Sequence, residues 1–578
     1  MNLRAVHVYF VVHNKKLAVR VRKTTMAESI AATFCAAVDA LHAGGTDAVA
    51  ANAWLMAFVD DPMAPHVCSL ILTTPTASVP QQVSAAGILG RAGSHGATSL
   101  EPLLHLVGAA VVCPPAVASL AGAVATVAAA AGAEEQLLAS ASFDALEPSR
   151  QLPILHALGE CLAQSASVEE LRAKPSTTAA CRRAVDALQR ALELDATSAP
   201  ALRCLTAWAE CGVDFEALRQ NFPAVTSALL GMLDPRAVAL APESGRPCLE
   251  LPALAAGVLR AALESSLEVD EEVTLDSCMA LLALVAHWAG SEAGMPAWAS
   301  VGALGAPSVD ATGLSDGGGP DAGINVDLVC HLAAVASRVL ELTAEECDDA
   351  LRGGDAPPAA AAVLRRAFEL LLACSAHALP GPSEMAAEGW LGLSAALPPA
   401  PLSAAVWRAE LYALVVQRTV QRASRAQLRS GTNEDGFDLD EWRERCAAPL
   451  LCACSEVLGA ARYLAPLAAA LGGVLQRGGA HAELEMMEAL LFGASCMSGR
   501  CARAMPADAD AAAGMADLAA AAAAAAAGAA AGAGAAAETA TATAIVEQAA
   551  ACRAALACAT SDDVDFEPRV GLGWASLT

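Results

Sequence analysis

The chain reads as an all-α solenoid of helical hairpins, and three observations predict it. Its 55% hydrophobic content is dominated by Ala while aromatic residues make up only 4%, so large anchors are few and the helices must pack closely through Ala and Leu to bury enough area. Strand-type alternation is rare along the 578 residues, whereas apolar residues recur at three- and four-residue spacing in segment after segment. The breaks between segments fall at intervals of roughly 40 residues, as in helical repeats of the HEAT/ARM-like kind. In such a chain each repeat touches only its neighbours. A thin, extended core is therefore expected in place of the roughly four globular domains that length alone suggests.

The first 25 residues stand apart. Val6 to Val12 and Leu17 to Val21 are β-branched runs around His13-Asn14-Lys15-Lys16, with six Lys/Arg and no acid. They read as two short strands and not as an amphipathic transit helix. The helical pattern begins just after Met26, and a functional start at Met26 is weighed against a leader with a function of its own. Turns are expected at His42 to Thr46, Pro62, Pro75 to Pro80, Ala92 to Thr98, Pro114-Pro115, Glu147-Pro148, Pro175, Pro200 and Pro235 to Pro252, because Gly and Pro punctuate helices most strongly.

Val107 to Ala133 is uncharged over a length that could span a bilayer. Pro114-Pro115 interrupts it early and the remainder is mostly Ala, Gly and Ser, so two stacked helices turning at the prolines are expected, with no membrane insertion. Trp298 to Gly323, rich in Gly, Pro, Ser and Asp, reads as an insertion between hairpins. Helices are expected again at Val326 to Leu340, Ala359 to Leu379, Met385 to Leu397, Leu402 to Leu428, Trp442 to Ala460 and Ala480 to Ser498. Ala511 to Ala537 is nearly pure Ala with scattered Gly; propensity favours partial helix, but no distinct packing face is visible.

Enzyme motifs are missing or out of context: there is no G-x-x-x-x-G-K-[ST] or H-E-x-x-H, no G-x-G-x-x-G following a strand, and the G-x-S-x-G match at Gly313 to Gly317 falls within the Gly- and Ser-rich run Trp298 to Gly323, with no strand pattern before it. No catalytic residue, cofactor site or metal site is assigned. The 19 Cys are scattered singly on apolar faces, as at Cys35, Cys204, Cys278, Cys330 and Cys374, which reads as a reducing compartment. Cys446, Cys452, Cys454 and Cys496/Cys501 lack the paired spacing of a zinc site. His331 and His377 are expected as satisfied helix histidines, and Trp54, Trp208 and Trp288 as core. The formal net charge of −27 discourages direct nucleic-acid binding and favours basic partner surfaces.

One charged pattern is a candidate partner contact. Arg418, Arg422, Arg425 and Arg429 are spaced four, three and four, placing their guanidinium forks along one helix face, where they could bind carboxylate or phosphate. The plainer reading is a solvated face balanced by the acidic loop that follows, Glu434, Asp435, Asp438, Asp440 and Glu441; Asp438, Asp440 and Glu441 could themselves meet a basic partner.

The most specific stretch is Ala201 to Pro223, ALRCLTAWAECGVDFEALRQNFP. Leu202, Leu205 and Trp208/Ala209 form one apolar stripe, Gly212 permits a helix stop, and Asp214 is placed to cap the restart. Val185, Leu188, Ala191 and Leu192 mark the helix before it, and Val225, Leu229, Leu230 and Leu233 the helix after. The order Arg-Cys-Leu-x-x-Trp, Gly-Val, a short acidic-aromatic turn and an Ala-Leu helix resembles the central repeats of the karyopherin-beta nuclear transport receptors, nearest the transportin-SR/importin-thirteen branch. Collinear blocks at Ala37 to Leu41, Ala53-Trp54-Leu55, Pro62 to Leu72, Gln81 to Gly90, Leu152 to Leu162, Phe437 to Leu458 and Glu485 to Phe492 extend the resemblance from about Met26 to Arg500.

The resemblance implies a right-handed superhelix that shuttles between nucleus and cytoplasm. It would bind Ran-GTP with its N-terminal repeats, roughly Glu28 to Gln164, carry basic or arginine-serine-rich protein cargo, and dock FG nucleoporins on its outer grooves. It also implies a division into a basic extension (1–25), N-terminal repeats (26–100), HEAT repeats (101–292), an insertion (293–325), further repeats (326–500) and an Ala-rich tail (501–578). The family's second set of repeats, with the Arg-rich helix associated with such cargo, has no counterpart here. A generic HEAT scaffold for protein assembly is the competing reading.

Overall fold

The computed structural model describes residues 25–94, 100–195, 198–237, 249–268, 273–288, 326–352, 358–375, 377, 380–397, 406–424, 439–477, 481–497, 515–524 and 543–550. The strands expected before Met26, the insertion at Trp298 to Gly323, and Arg425, Arg429, Asp438 and Cys501 lie outside these residues. Among the described residues every regular element is helical, so the fold is all-α, built from helical hairpins of the HEAT/ARM-like kind. The chain divides into two compact units, Met1–Ala228 with Glu264–Asp270, and Leu229–Leu263 with Glu271–Thr578.

In the first unit, α1 (25–43) and α2 (Thr46–Phe58) are joined through Gly44 and Gly45, whose φ values of 74° and 86° lie in the left-handed region. Then come α3 (Ala64–Leu72), α4 (Val79–Ser94), α5 (Leu100–Gly108), α6 (Pro114–Ala131), α7 (Glu134–Leu138), α8 (Ala141–Asp144), α9 (Pro148–Ser165), α10 (Val168–Arg172), α11 (Pro175–Leu194), α12 (Ala199–Glu210) and α13 (Phe215–Asn221). Several prolines expected in turns occupy the first two positions of a helix instead: those of α6, α9, α11 and α12 all do so. There the missing N–H would have had no intrahelical partner and the fixed φ is already helical. The apolar stretch at Val107 to Ala133 breaks at the prolines as expected. α5 ends at Gly108, and α6, whose length and composition would suffice to cross a membrane, buries Val117, Leu120, Ala121 and Val124 against α4 and α9. Helices α4, α6, α9 and α12 pack in succession as one layer.

Two helices, α14 (Pro223–Leu233) and α15 (Glu250–Glu268), are each divided between the units. The second unit continues with α16 (Leu275–Trp288), α17 (Val326–Leu342), α18 (Ala344–Leu351), α19 (Pro358–Ser375), α20 (Pro380–Ala396) and α21 (Val406–Ala423). After these come α22 (Leu439–Leu458), α23 (Ala460–Arg477), α24 (His481–Ser495) and two short helices in the tail, α25 (515–524) and α26 (543–550). α17 and α20 run parallel and close. Gly381 faces Cys330, Gly389 faces Ser337 and Gly392 faces Glu341, and a Cβ at Gly392 would sit 2.6 Å from the Glu341 carboxylate.

Two parts of this unit differ from expectation. α23 forms where no helix was expected, with Pro466 inside it. The proline removes one ladder hydrogen bond, but Leu464, Leu467 and Leu471 are fully buried and the Tyr463 hydroxyl donates to the Gly493 carbonyl at 2.5 Å. In the Ala-rich tail, Met515, Ala519 and Ala522 are all 0% exposed, so α25 does present a packing face at helical spacing, and Gly472 of α23 lies beside Leu518.

Candidate interaction surfaces

The Ala201 to Pro223 block folds as its residues predict. α12 ends at Gly212, which takes φ 107°, and the Asp214 side chain accepts from the Ala217 amide at 2.6 Å as the N-cap of α13. Arg172 pairs with Asp214, and its Nε donates to the Gly212 carbonyl at 3.0 Å, so the turn is held from α10 as well. Three side chains of the block donate to carbonyls of α9. Cys204 Sγ reaches Leu152 O at 3.1 Å, Trp208 Nε1 reaches Leu155 O at 3.0 Å, and Cys211 Sγ reaches Gly159 O at 3.1 Å.

The acceptors climb α9 in the same order as the donors climb the block, so α9 and α12 run parallel. Gly159 makes the approach possible, since a Cβ there would meet Ala207 Cβ at 3.0 Å. Leu152 to Leu162 and Leu202 to Gly212, two of the blocks carrying the sequence resemblance, are thus neighbours in one layer. Trp208 is 0% exposed and burial raises the Cys204 thiol to about 12. Trp288, expected as core, is also buried and donates to Leu233 O at 2.8 Å. Trp54 is only half-buried, stacked face to face on Phe58.

The two described members of the arginine stripe, Arg418 and Arg422, are not on a solvated face. Arg418 is half-buried on α21, and desolvation lowers its pKa. Arg422 is 0% exposed with its guanidinium 5.3 Å from the Trp442 ring centroid, and burial lowers it to about 10. A planar guanidinium can be covered by an indole face where an ammonium would demand water. Spacing alone placed these residues on one face, but it could not show that α22 brings an aromatic onto that face. Arg422 is therefore an interior residue and not a surface contact. Asp440 stands 3.9 Å from Arg443, and exposed Glu441 accepts from Arg445 at 3.1 Å.

The charged residues doing structural duty in this unit went unnoticed in the sequence. Arg443 and Glu488, each 1% exposed, form a buried pair at 2.5 Å. Arg443 also donates to the Ala423 carbonyl, at the C-terminus of α21, and stacks on Phe492 at 5.0 Å. It sits in a π-helical turn, Arg443–Ala447, within α22. Asp348, 2% exposed at its side chain, accepts from Arg408 Nε at 3.0 Å and Trp407 Nε1 at 3.1 Å and pairs with Arg352 at 2.5 Å. The only sequence hint was a charge placed inside an otherwise apolar helical face.

Around half-buried Cys446, burial and the carboxylates of Glu384, Glu388 and Glu441 raise the thiol to about 11, against the opposing effect of Arg445. Of these carboxylates, Glu441 is paired with Arg445 and Glu388 stands 4.0 Å from Arg338. His331 departs from expectation. It packs on Gly257, its Nδ1 has no hydrogen-bond partner among the described residues, and burial with the nearby Arg260 lowers it to about 4. Among the described residues no three His, Cys, Asp or Glu side chains converge as a metal site.

No protein-family model matches this chain, and no curated protein sequence does. Among solved structures it is similar to one described as "Importin13 cytosolic state", at 15% identity and a TM-score of 0.47, over 79% of this chain. The match covers 55% of that protein, so this chain spans about half its length.

Proposed function

We propose that the protein is a nuclear transport receptor of the karyopherin-beta kind, binding Ran-GTP through its N-terminal repeats and carrying protein cargo between cytoplasm and nucleus. The observation that carries the reading is the pairing of ordered sequence blocks with successive helices. The Leu152 to Leu162 and Leu202 to Gly212 blocks form adjacent parallel helices, locked by Cys204, Trp208 and Cys211. A net charge of −27 supports cargo of basic or arginine-serine-rich character. Cargo release follows by linkage, since two ligands that favour different states of one solenoid lower each other's affinity reciprocally. FG nucleoporins are the partners that passage through the pore would require.

The test is a pull-down of the full chain with Ran locked in the GTP form, with Ran-GDP as control. Preferential capture of the GTP form is expected. Equal or absent capture by chain with a helical circular-dichroism spectrum would move the protein to a HEAT scaffold for other assemblies.

A further inference from the structure

The first hairpin presents an exposed apolar face. Val49, Ala53 and Met56 lie at i, i+4 and i+7 on α2, and Val49 and Met56 are 77% and 53% exposed. The opposite face of the same helix buries Ala51, Leu55 and Phe58. Met26 on α1 is a further exposed apolar side chain, at 59%.

Its charge is equally one-sided. Residues 25–90 contain five acids, Glu28, Asp39, Asp47, Asp60 and Asp61, and no Lys or Arg. Asp47 and Asp60 are exposed at the two ends of the α2 stripe. The Arg91 guanidinium lies beside the stripe, its Nη1 3.9 Å from the Met56 sulfur. The chain immediately before this hairpin has the complementary composition. Residues 1–24 carry six Lys/Arg and no acid, interleaved with the apolar runs Val6 to Val12 and Leu17 to Val21.

We propose that the outer face of α2 is a docking surface for the chain's own residues 1–24, with aliphatic side chains on the Val49–Ala53–Met56 stripe and Lys/Arg against Asp47, Asp60 and Glu28. The tether favours this occupant. A segment that ends where α1 begins is held at an effective concentration of order mM by short linkage, and at most about 3.3–3.6 Å per residue of extended chain reaches well past the length of a 13-residue helix. Opposite charge on the two segments adds attraction that weakens with salt. The contact would act as an internal competitor for any partner that approaches this end of the repeats.

The composition provides a sharp probe, because Lys occurs only at positions 15, 16, 23 and 174. Zero-length carbodiimide cross-linking of the full chain, read by mass spectrometry, should join Lys15, Lys16 or Lys23 to Asp47, Asp60 or Glu28. A V49K/M56K variant alters only exposed side chains, so its helical spectrum should stay unchanged while those cross-links fall at least fivefold among Lys15, Lys16 and Lys23. Raising the salt should weaken them too. Cross-links from these lysines that scatter over the chain, or persist undiminished in the variant, would overturn the proposal. So would cross-links between light and heavy chains in an isotopically mixed sample, which would make the occupant a second copy.

Discussion

Two helix interfaces, one in each unit, reach similar closeness with opposite chemistry. Between α9 and the Ala201 to Pro223 block, two thiols and an indole donate across the interface, which is set on Gly159 and Ala207. Among α21, α22 and α24 the equivalent duty falls to charges, with Arg443 held by Glu488 and by the Ala423 carbonyl and stacked on Phe492. Burying a thiol or an indole with its partner in place costs little desolvation. Burying an ion pair costs several kcal/mol per ion before attraction repays it. The first interface should therefore be sensitive to volume and the second to the removal of either partner.

The largest effect is expected where the charged interface is broken on one side. Glu488→Ala leaves a guanidinium at 1% exposure without its carboxylate and should lower stability by about 3–5 kcal/mol, read from the urea midpoint. The double variant R443M/E488L should recover most of that loss, since an apolar pair of similar volume carries no desolvation penalty. A single variant that loses less than about 1 kcal/mol would remove the contrast between the interfaces, because surface pairs lie in that range.

The neutral interface is challenged by volume. Gly159→Val pushes side-chain atoms toward Ala207 Cβ, already 3.0 Å from where a Cβ would stand, and should cost about 1–3 kcal/mol by overpacking. Gly87→Ala on α4 is the control. A Cβ there meets nothing within 4 Å, so the better helix former should stabilise by about 0.5–1 kcal/mol. Thermal unfolding of the two variants should move in opposite directions.

The same contrast explains how much was legible in the sequence. Fold class, the stop at Gly212, the cap at Asp214 and the core positions of Trp208 and Trp288 followed from local rules of periodicity and capping, which the neutral interface obeys. The charged interface breaks those rules. Arg422 looked like one member of a surface stripe because charge is normally exposed, and only the Trp442 ring, arriving from another helix, makes its burial tolerable. Likewise nothing local marked Arg443 and Glu488 as partners, since they are 45 residues apart. Proline disfavours a helix interior, and at Pro466 the buried leucines of α23 override that local rule.

A titration sharpens the comparison at the third kind of site, a neutral group beside a charge. His331 is held to about 4 by burial first and Arg260 second, with Asp327 acting the other way, against about 6.5 in an unfolded chain. The unfolded state therefore binds the extra proton between those values. The stability that His331 contributes is complete above about pH 6.5 and is lost as pH falls toward 4. Between pH 7.5 and 5.5 the loss should be about 1 kcal/mol, seen as a drop in urea midpoint that His331→Gln abolishes. An identical drop in the variant would assign it to other groups.

The smallest effect belongs to the thiols. Cys204 donates to a carbonyl inside α9 that keeps its own ladder bond, so Cys204→Ala orphans no acceptor. Because a thiol is a weak donor, the cost should be about 0.5 kcal/mol, an order of magnitude below the break at Glu488. Reactivity offers the finer reading. With its pKa raised to about 12 and 1% exposure, Cys204 in the native state presents almost no thiolate at pH 8. Its alkylation by iodoacetamide should follow the opening of the α9–α12 interface, accelerating in Gly159→Val and staying unchanged in Glu488→Ala if the two units open independently. Acceleration in both variants would mean that the charged and neutral interfaces belong to one cooperative transition.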